Sequence, residues 1–212
     1  SKYNGITEGV IWKQLMLFFF PVLLGTFFQQ LYNTVDAVIV GRFVGKEALA
    51  AVGGSSSQIL NLLIGFFTGV ASGAAVIVAQ YYGARDAEDS SRSVHTAMIL
   101  AIASGAIMTV VGILTAPVLL RIMATPEDTM ADSIVYMRWV YLAMIPGMVY
   151  NMGSAILRAV GDSKHPLYFL IACCLINVVL DLLFVVTFKM GVAGVAYATI
   201  IAQAVSALLT MI

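Results

Sequence analysis

Charged side chains are scarce in this sequence. Asp, Glu, Lys and Arg make up 10% of its 212 residues, where a soluble domain carries about 25% because its surface must face water. A chain so poor in charge cannot cover a water-facing exterior, which excludes an ordinary soluble fold. The few charges balance at 11 basic and 11 acidic residues, so there is neither the basic excess of a nucleic-acid binder nor an acidic solvating arm. Cysteine is nearly absent too. Cys173 and Cys174 are neighbours inside an apolar run, where neither a disulfide framework nor a CxxC metal spacing can be built. Histidine occurs only as His95 and His165, near the ends of apolar runs, where solvated loop positions are the plain reading. There is no Walker loop, GxSxG, HExxH or placed Ser/His/Asp set. The sequence therefore points away from an enzyme and implies no cofactor. Energy for any transport would have to come from an ion gradient.

What is abundant is apolar sequence: 61% of residues are hydrophobic and the mean hydropathy is +0.97. A membrane helix needs ~20 mostly apolar residues to cross a ~30 Å hydrocarbon core, and the charges mark where each run stops. Six spans are predicted, at about 14–40, 55–82, 94–118, 136–157, 167–188 and 192–212. The first run is too long for the apolar core of a signal peptide and lacks a small-residue cleavage site, so it reads as a span. Short linkers (GRFVGKE, YYGARDAEDSSRS, RIMATPEDTMADS, RAVGDSKHP and FKMGVAG) carry turn chemistry and make neighbouring spans antiparallel. The expected fold class is an all-α membrane protein, a six-transmembrane-helix bundle. A cytoplasmic N-terminus places Lys2, Lys13, Arg85, Arg92, Arg158 and Lys164 inside, and Arg42, Lys46, Arg121, Arg138 and Lys189 outside. This is a slight positive-inside bias.

Two acids fall within the apolar runs, Asp36 and Asp181. An Asp at the centre of a membrane helix costs ~2.5–3.5 kcal/mol by insertion scales. Such an acid relieves that cost by holding a proton or a cation, unless it lies near the helix end and simply reaches water. Depth arithmetic favours a shared site. Asp36 lies ~9 Å from the Arg42 end of its span, Asp181 ~12 Å from Lys189, and Thr199 ~10 Å from the start of the sixth span. Asn177 is one turn from Asp181, and Asn33, Tyr32 and Gln29 share the face of Asp36. Carboxylate, amide and hydroxyl oxygens at one level suit a hard cation such as Na⁺, and two close carboxylates equally favour retaining one proton.

Other features have plainer readings. Gly65, Gly69 and Gly73, at four-residue spacing, predict a bare face that a neighbouring helix approaches closely, and Gly147 and Gly153 read the same way. Met144, Met148, Tyr150 and Met152 are either core or the lining of an adaptable cavity for bulky ligands. Pro21 and Pro146 each kink a span, as architecture or as a bending point.

The stretch TEGVIWKQLMLFFFPVLLGTFFQQLYNTVDAVIVGRFVGKEALAAVG, the loop ILRAVGDSKHP, and NVVLDLLFV followed by GVAGVAYATIIAQ resemble the amino-terminal half of a multidrug and toxic compound extrusion (MATE) transporter over essentially the whole chain. The resemblance implies one six-helix lobe of a twelve-helix transporter, in a bacterial-type plasma (inner) membrane, that exports cationic or amphipathic drug-like compounds in exchange for Na⁺ or H⁺. It also implies that Asp36, Asn177, Asp181 and Thr199 form the amino-lobe cation site. Gln29, Tyr32, Asn33, Met144 and Tyr150 would then face the substrate cavity, and Pro21 would be a hinge. A second six-helix lobe is the expected partner. It could lie in the same chain, in a separate chain, or in a second copy of a natural half-size protein acting as a homodimer. A rival from another class is a non-transporting membrane scaffold subunit whose acids only organise packing. A lipid-linked precursor flippase ranks below both, because its cavity should be basic and no Lys or Arg falls inside a predicted span beyond Arg138 at the edge of the fourth.

Overall fold

A computed structural model describes residues 10–212. Lys2 and the first residues of the TEGV stretch therefore lie outside the described residues. Along the described residues eight α-helices follow one another: α1 Ile11–Phe43, α2 Lys46–Gly53, α3 Ser55–Gly83, α4 Ala87–Ile122, α5 Glu127–Leu142, α6 Met144–Ala159, α7 Lys164–Asp181 and α8 Gly191–Met211. Directly after Asp181, α7 widens into a π-helical segment, Leu182–Thr187. An all-helical build is what hydrocarbon demands, because each backbone polar group must be satisfied within its own segment. Five stretches are each long and apolar enough to cross a membrane, and the bent pair α5–α6 makes a sixth.

Several linkers are more helical than their polar composition suggests. The linker GRFVGKE gives way to α2 at Lys46, α4 starts at Ala87 inside YYGARDAEDSSRS, and α5 starts at Glu127 inside RIMATPEDTMADS. Acidic residues that look like loop chemistry occupy first helical turns, where they complement the helix dipole. In α4 these are Glu88 and Asp89, and the Asp86 side chain caps the helix by accepting the Asp89 N–H at 3.1 Å. The α1–α2 corner turns at Gly45, whose φ of 131° suits glycine alone.

The expected fourth span is two helices, bent by 48° across Ala143. Pro146 is the cause: with no N–H and a ring that clashes with the preceding turn, it is tolerated only near a helix start, and here it lies in the first turn of α6. The Thr109 hydroxyl of α4 donates to the Tyr141 carbonyl at 2.7 Å, satisfying an acceptor at the break. The bend is received by glycines that attracted no notice in the sequence. A Cβ at Gly105 would lie 2.8 Å from the Ile145 Cα, and one at Gly112 would lie 2.2 Å from the Tyr141 ring. Pro21, by contrast, sits inside an uninterrupted α1, and Pro117 lies within the last turns of α4.

The expected close approach at Gly65, Gly69 and Gly73 is not present: nothing lies within 4 Å of a Cβ at any of the three. Their face of α3 is exposed. Gly153 does pack as expected, with a Cβ there meeting Thr210 of α8 at 2.1 Å, whereas Gly147 has only ordinary contacts. The α6 helix is central, packed against α3, α4 and α8, while α1 is peripheral and leans mainly on α7 and α2. That arrangement leaves a gap between α1 and the α3–α6 wall.

Candidate functional site

The gap is a cavity of about 670 Å³, lined from all helices except α4. On α1 the lining repeats every helical turn: Pro21, Gly25, Gln29 and Asn33, with Tyr32 and Asp36 beside them. Met144, Met148 and Tyr150 of α6 face it from the other side. Met152 does not line it. That side chain is 3% exposed and belongs to the apolar core, because it falls on the face of α6 turned away from the gap.

The two intramembrane acids meet at one end of this cavity. Asp36 is on its wall, and its carboxyl group interacts electrostatically with that of Asp181 on α7. Asp181 and Asn177 are fully buried, at 0% exposed, just behind the wall. Thr199 of α8 lines the cavity, donates to the Val195 carbonyl at 3.0 Å and lies 3.5 Å from the Tyr32 hydroxyl. With its proton committed to Val195, the Thr199 oxygen accepts from Tyr32 and keeps lone-pair capacity toward the site.

The pocket is conspicuous for what it leaves unsatisfied. Asp36 Oδ1, both Asp181 carboxylate oxygens and the Asn177 amide oxygen and nitrogen are buried without a hydrogen-bond partner. Buried polar atoms are rarely orphaned in a folded protein, since each lost partner costs roughly 1–3 kcal/mol. Several unpaired oxygens converging from α1 and α7 form the donor set of a hard cation, and two neighbouring, interacting carboxyl groups form an acid pair able to share a proton. Among the described residues no group of three or more His, Cys, Asp or Glu gathers as a metal site, here or elsewhere.

Comparison with known proteins gives this geometry its context. The MatE family profile matches residues 21–183. The chain belongs to the MatE family. Two relatives from Bacillus subtilis (strain 168) are the probable multidrug resistance proteins YpnP, 32% identical over 97% of this chain, and YoeA, 34% identical over 95%. The chain spans about half the length of these curated relatives, 46% and 44% respectively. A MATE protein solved in a bent conformation superposes with a TM-score of 0.91 at 28% identity, covering 99% of this chain and 46% of the solved one. A MATE structure in the straight conformation gives 0.90 over 99% and 46%, also at 28% identity. This MatE chain is thus an all-α integral membrane protein with the fold of part of a MATE transporter, and its relatives bear transporter and multidrug-resistance names.

Within the MatE fold two further residues join the site that sequence reasoning did not name. Tyr136 of α5 is 8% exposed, lines the cavity and is electrostatically coupled to both Asp36 and Asp181. Its only sequence signal was a polar tip in an apolar run at the right depth. Arg158, at the end of α6, also lines the cavity. The scarcity of Lys and Arg within the predicted spans does not keep the wall free of basic groups: Arg158 sits one residue beyond the fourth predicted span and reaches back along the wall, as long cationic side chains do.

Proposed function

We propose that this chain is the amino-terminal lobe of a cation-coupled secondary exporter of drug-like or cationic amphipathic compounds. It would cross the membrane six times, at about residues 14–40, 55–82, 94–118, 136–157, 167–188 and 192–212, with its N-terminus in the cytoplasm of a bacterial-type cell. The observation that carries the reading is the pairing of the interacting Asp36 and Asp181 carboxyl groups, with Asp36 Oδ1, both Asp181 oxygens and the Asn177 amide unpaired, at the wall of a cavity large enough for a small organic molecule. Names of relatives support export of drugs: YpnP and YoeA are called probable multidrug resistance proteins.

In the mechanism that follows, Asp36 and Asp181 hold Na⁺ or a shared proton, while Asn177 and Thr199 supply neutral oxygens that complete the shell. Because Asp36 also faces the cavity, its charge is available to a cationic substrate only when the coupling ion is absent. Ion and substrate therefore compete for one carboxylate, which is the physical basis of exchange. Gln29, Tyr32, Asn33, Met144 and Tyr150 form the cavity wall. Pro21 lets α1 bend where the i−4 hydrogen bond is missing. A second six-helix lobe, in the same chain, another chain or a second copy, supplies the opposite wall, since one lobe cannot expose its cavity alternately to both sides.

Expected behaviour is definite. In the protein as its host makes it, Asp36→Asn and Asp181→Asn each abolish gradient-driven efflux of a fluorescent cationic dye without lowering protein level. Efflux that persists in both variants rejects the assignment. Loss of folded protein in both, with no ion dependence in the parent, favours a scaffold role instead.

A further inference from the structure

At the end of the cavity away from the acid pair the wall changes sign. Arg158 is half-buried there, in the last turn of α6. Its nearest acid in sequence is Asp162, four residues on, but that carboxylate is already committed. Asp162 accepts the backbone N–H groups of Lys164 and His165, each at 3.1 Å, and pairs with the His165 ring. Among the described residues no carboxylate lies within ion-pairing distance of Arg158. The cavity wall carries one acid, Asp36, and one base, Arg158.

Their placement separates them. The Gly25 level of α1 is in contact with Leu167 and Leu170 of α7, close in sequence to the Arg158 end. Asp36 lies 11 positions further along α1, or about 16 Å. The charges are too far apart to neutralise one another, and Leu60, Met144 and Met148 line the cavity with apolar surface. Arg158 shares the wall with Ser163, five residues on, and with Asn151, two helical turns back along α6. Asn151 donates one amide proton to the Gly147 carbonyl at 2.9 Å, which leaves its second for a ligand. A guanidinium on a wall that also carries neutral donors, with no carboxylate in ion-pairing distance, is suited to the planar, two-pronged recognition of a phosphate or carboxylate.

We propose that Arg158, Asn151 and Ser163 form an anion subsite that holds the phosphate or carboxylate of an elongated amphiphile, whose apolar body lies along Leu60, Met144 and Met148. This deepens the exporter reading and rests on it for the cavity being the substrate path. The substrate class is widened from cations to amphiphiles with an anionic head, including zwitterions whose cationic end reaches Asp36.

The test uses radiolabelled dodecyl phosphate and the protein in phosphatidylcholine nanodiscs, with empty nanodiscs subtracted. Saturable binding is expected, at least tenfold tighter than that of inorganic phosphate or dodecyltrimethylammonium. Arg158→Gln should weaken it roughly tenfold or more, and Arg158→Lys less, since a lysine keeps the charge but loses the fork. Replacing the nanodisc lipid with phosphatidylglycerol identifies the source: competition means that membrane lipid occupies the subsite, and its lack means a soluble amphiphile does. Either supports the proposal. Binding that is unchanged in Arg158→Gln, or not saturable, overturns it. If Arg158→Gln does not fold, equal affinity of the parent protein for dodecyl phosphate and dodecyltrimethylammonium overturns it instead. The readout needs no gradient, so failure here with efflux still lost in Asp36→Asn removes the subsite alone.

Discussion

Gly112→Ala and Gly69→Ala add the same methyl group to helix interiors, yet the structure assigns them opposite signs. At Gly112 the new Cβ would sit 2.2 Å from the ring of Tyr141, a fully buried side chain at the α5–α6 bend. Carbon atoms prefer about 3.5–4.0 Å, so the ring must move by more than an ångström in a packed interior, at a cost of about 1–3 kcal/mol. Alanine returns about 0.5–1 kcal/mol through its better helix propensity. The net loss of up to about 2.5 kcal/mol corresponds to an apparent Tm lower by up to roughly 5–10 °C for a chain of this size. At Gly69 nothing lies within 4 Å, so only the propensity gain remains, and Tm should hold or rise by roughly 1–3 °C. The assay is thermal unfolding of the purified variants in one neutral detergent, scanned at one rate because membrane proteins unfold irreversibly. A Gly69→Ala loss as large as that of Gly112→Ala would refute the reasoning, since it would mean that the α3 glycine face is packed in the working protein.

Na⁺ at a hundred times its Kd should stabilise the purified protein by about 2.7 kcal/mol, or roughly 5–10 °C, with the shift lost in Asp181→Asn; a shift of the same size with K⁺ or choline would reject a specific site. Tyr136→Phe should weaken the ion response roughly two- to tenfold, the worth of one polar contact, as read from the Na⁺ concentration at half-maximal shift. Pro21→Ala restores an N–H donor for the Leu17 carbonyl and should slow efflux without lowering Tm; unchanged efflux would remove the hinge. Burial is the largest single influence on Asp162 and pushes its pKa up, but the His165 and Lys164 donors together outweigh it and hold the carboxyl below the usual carboxylate range. A carboxylate depressed in the folded state stabilises above its unfolded pKa and loses that contribution as pH falls through the folded one. Tm should therefore fall below about pH 4, and Asp162→Asn should flatten that limb of the Tm–pH curve.

The candidate site was legible because its signals are local and costly. An acid in an apolar run stands out against hydrocarbon, and residue counts from the span ends place Asp36, Asp181 and Thr199 at similar depth, with Asn177 one turn deeper. The expected packing of Gly65, Gly69 and Gly73 failed for the opposite reason. Small residues at helical spacing say that a neighbour can approach, not that one is there. Tyr136 and Arg158 were missed because a tyrosine in a membrane run is common, and because a side chain anchored outside a span can lean back into it.

Hydrophobic run length and the scarcity of charge determined the class of this protein by themselves, since in hydrocarbon only closed hydrogen-bonded elements persist and helices of ~20 residues are the local solution. Charge positions alone set the depth of each polar group, because helix rise is constant. Azimuth and partnership were decided by tertiary structure. Which faces of α1, α7 and α8 turn toward one another depends on side-chain packing, on the Ala143 bend seated against Gly105 and Gly112, and on the π-helical turn after Asp181. Those contacts between distant segments bring two carboxyl groups together and leave Arg158 without a carboxylate partner among the described residues, at the far end of the cavity.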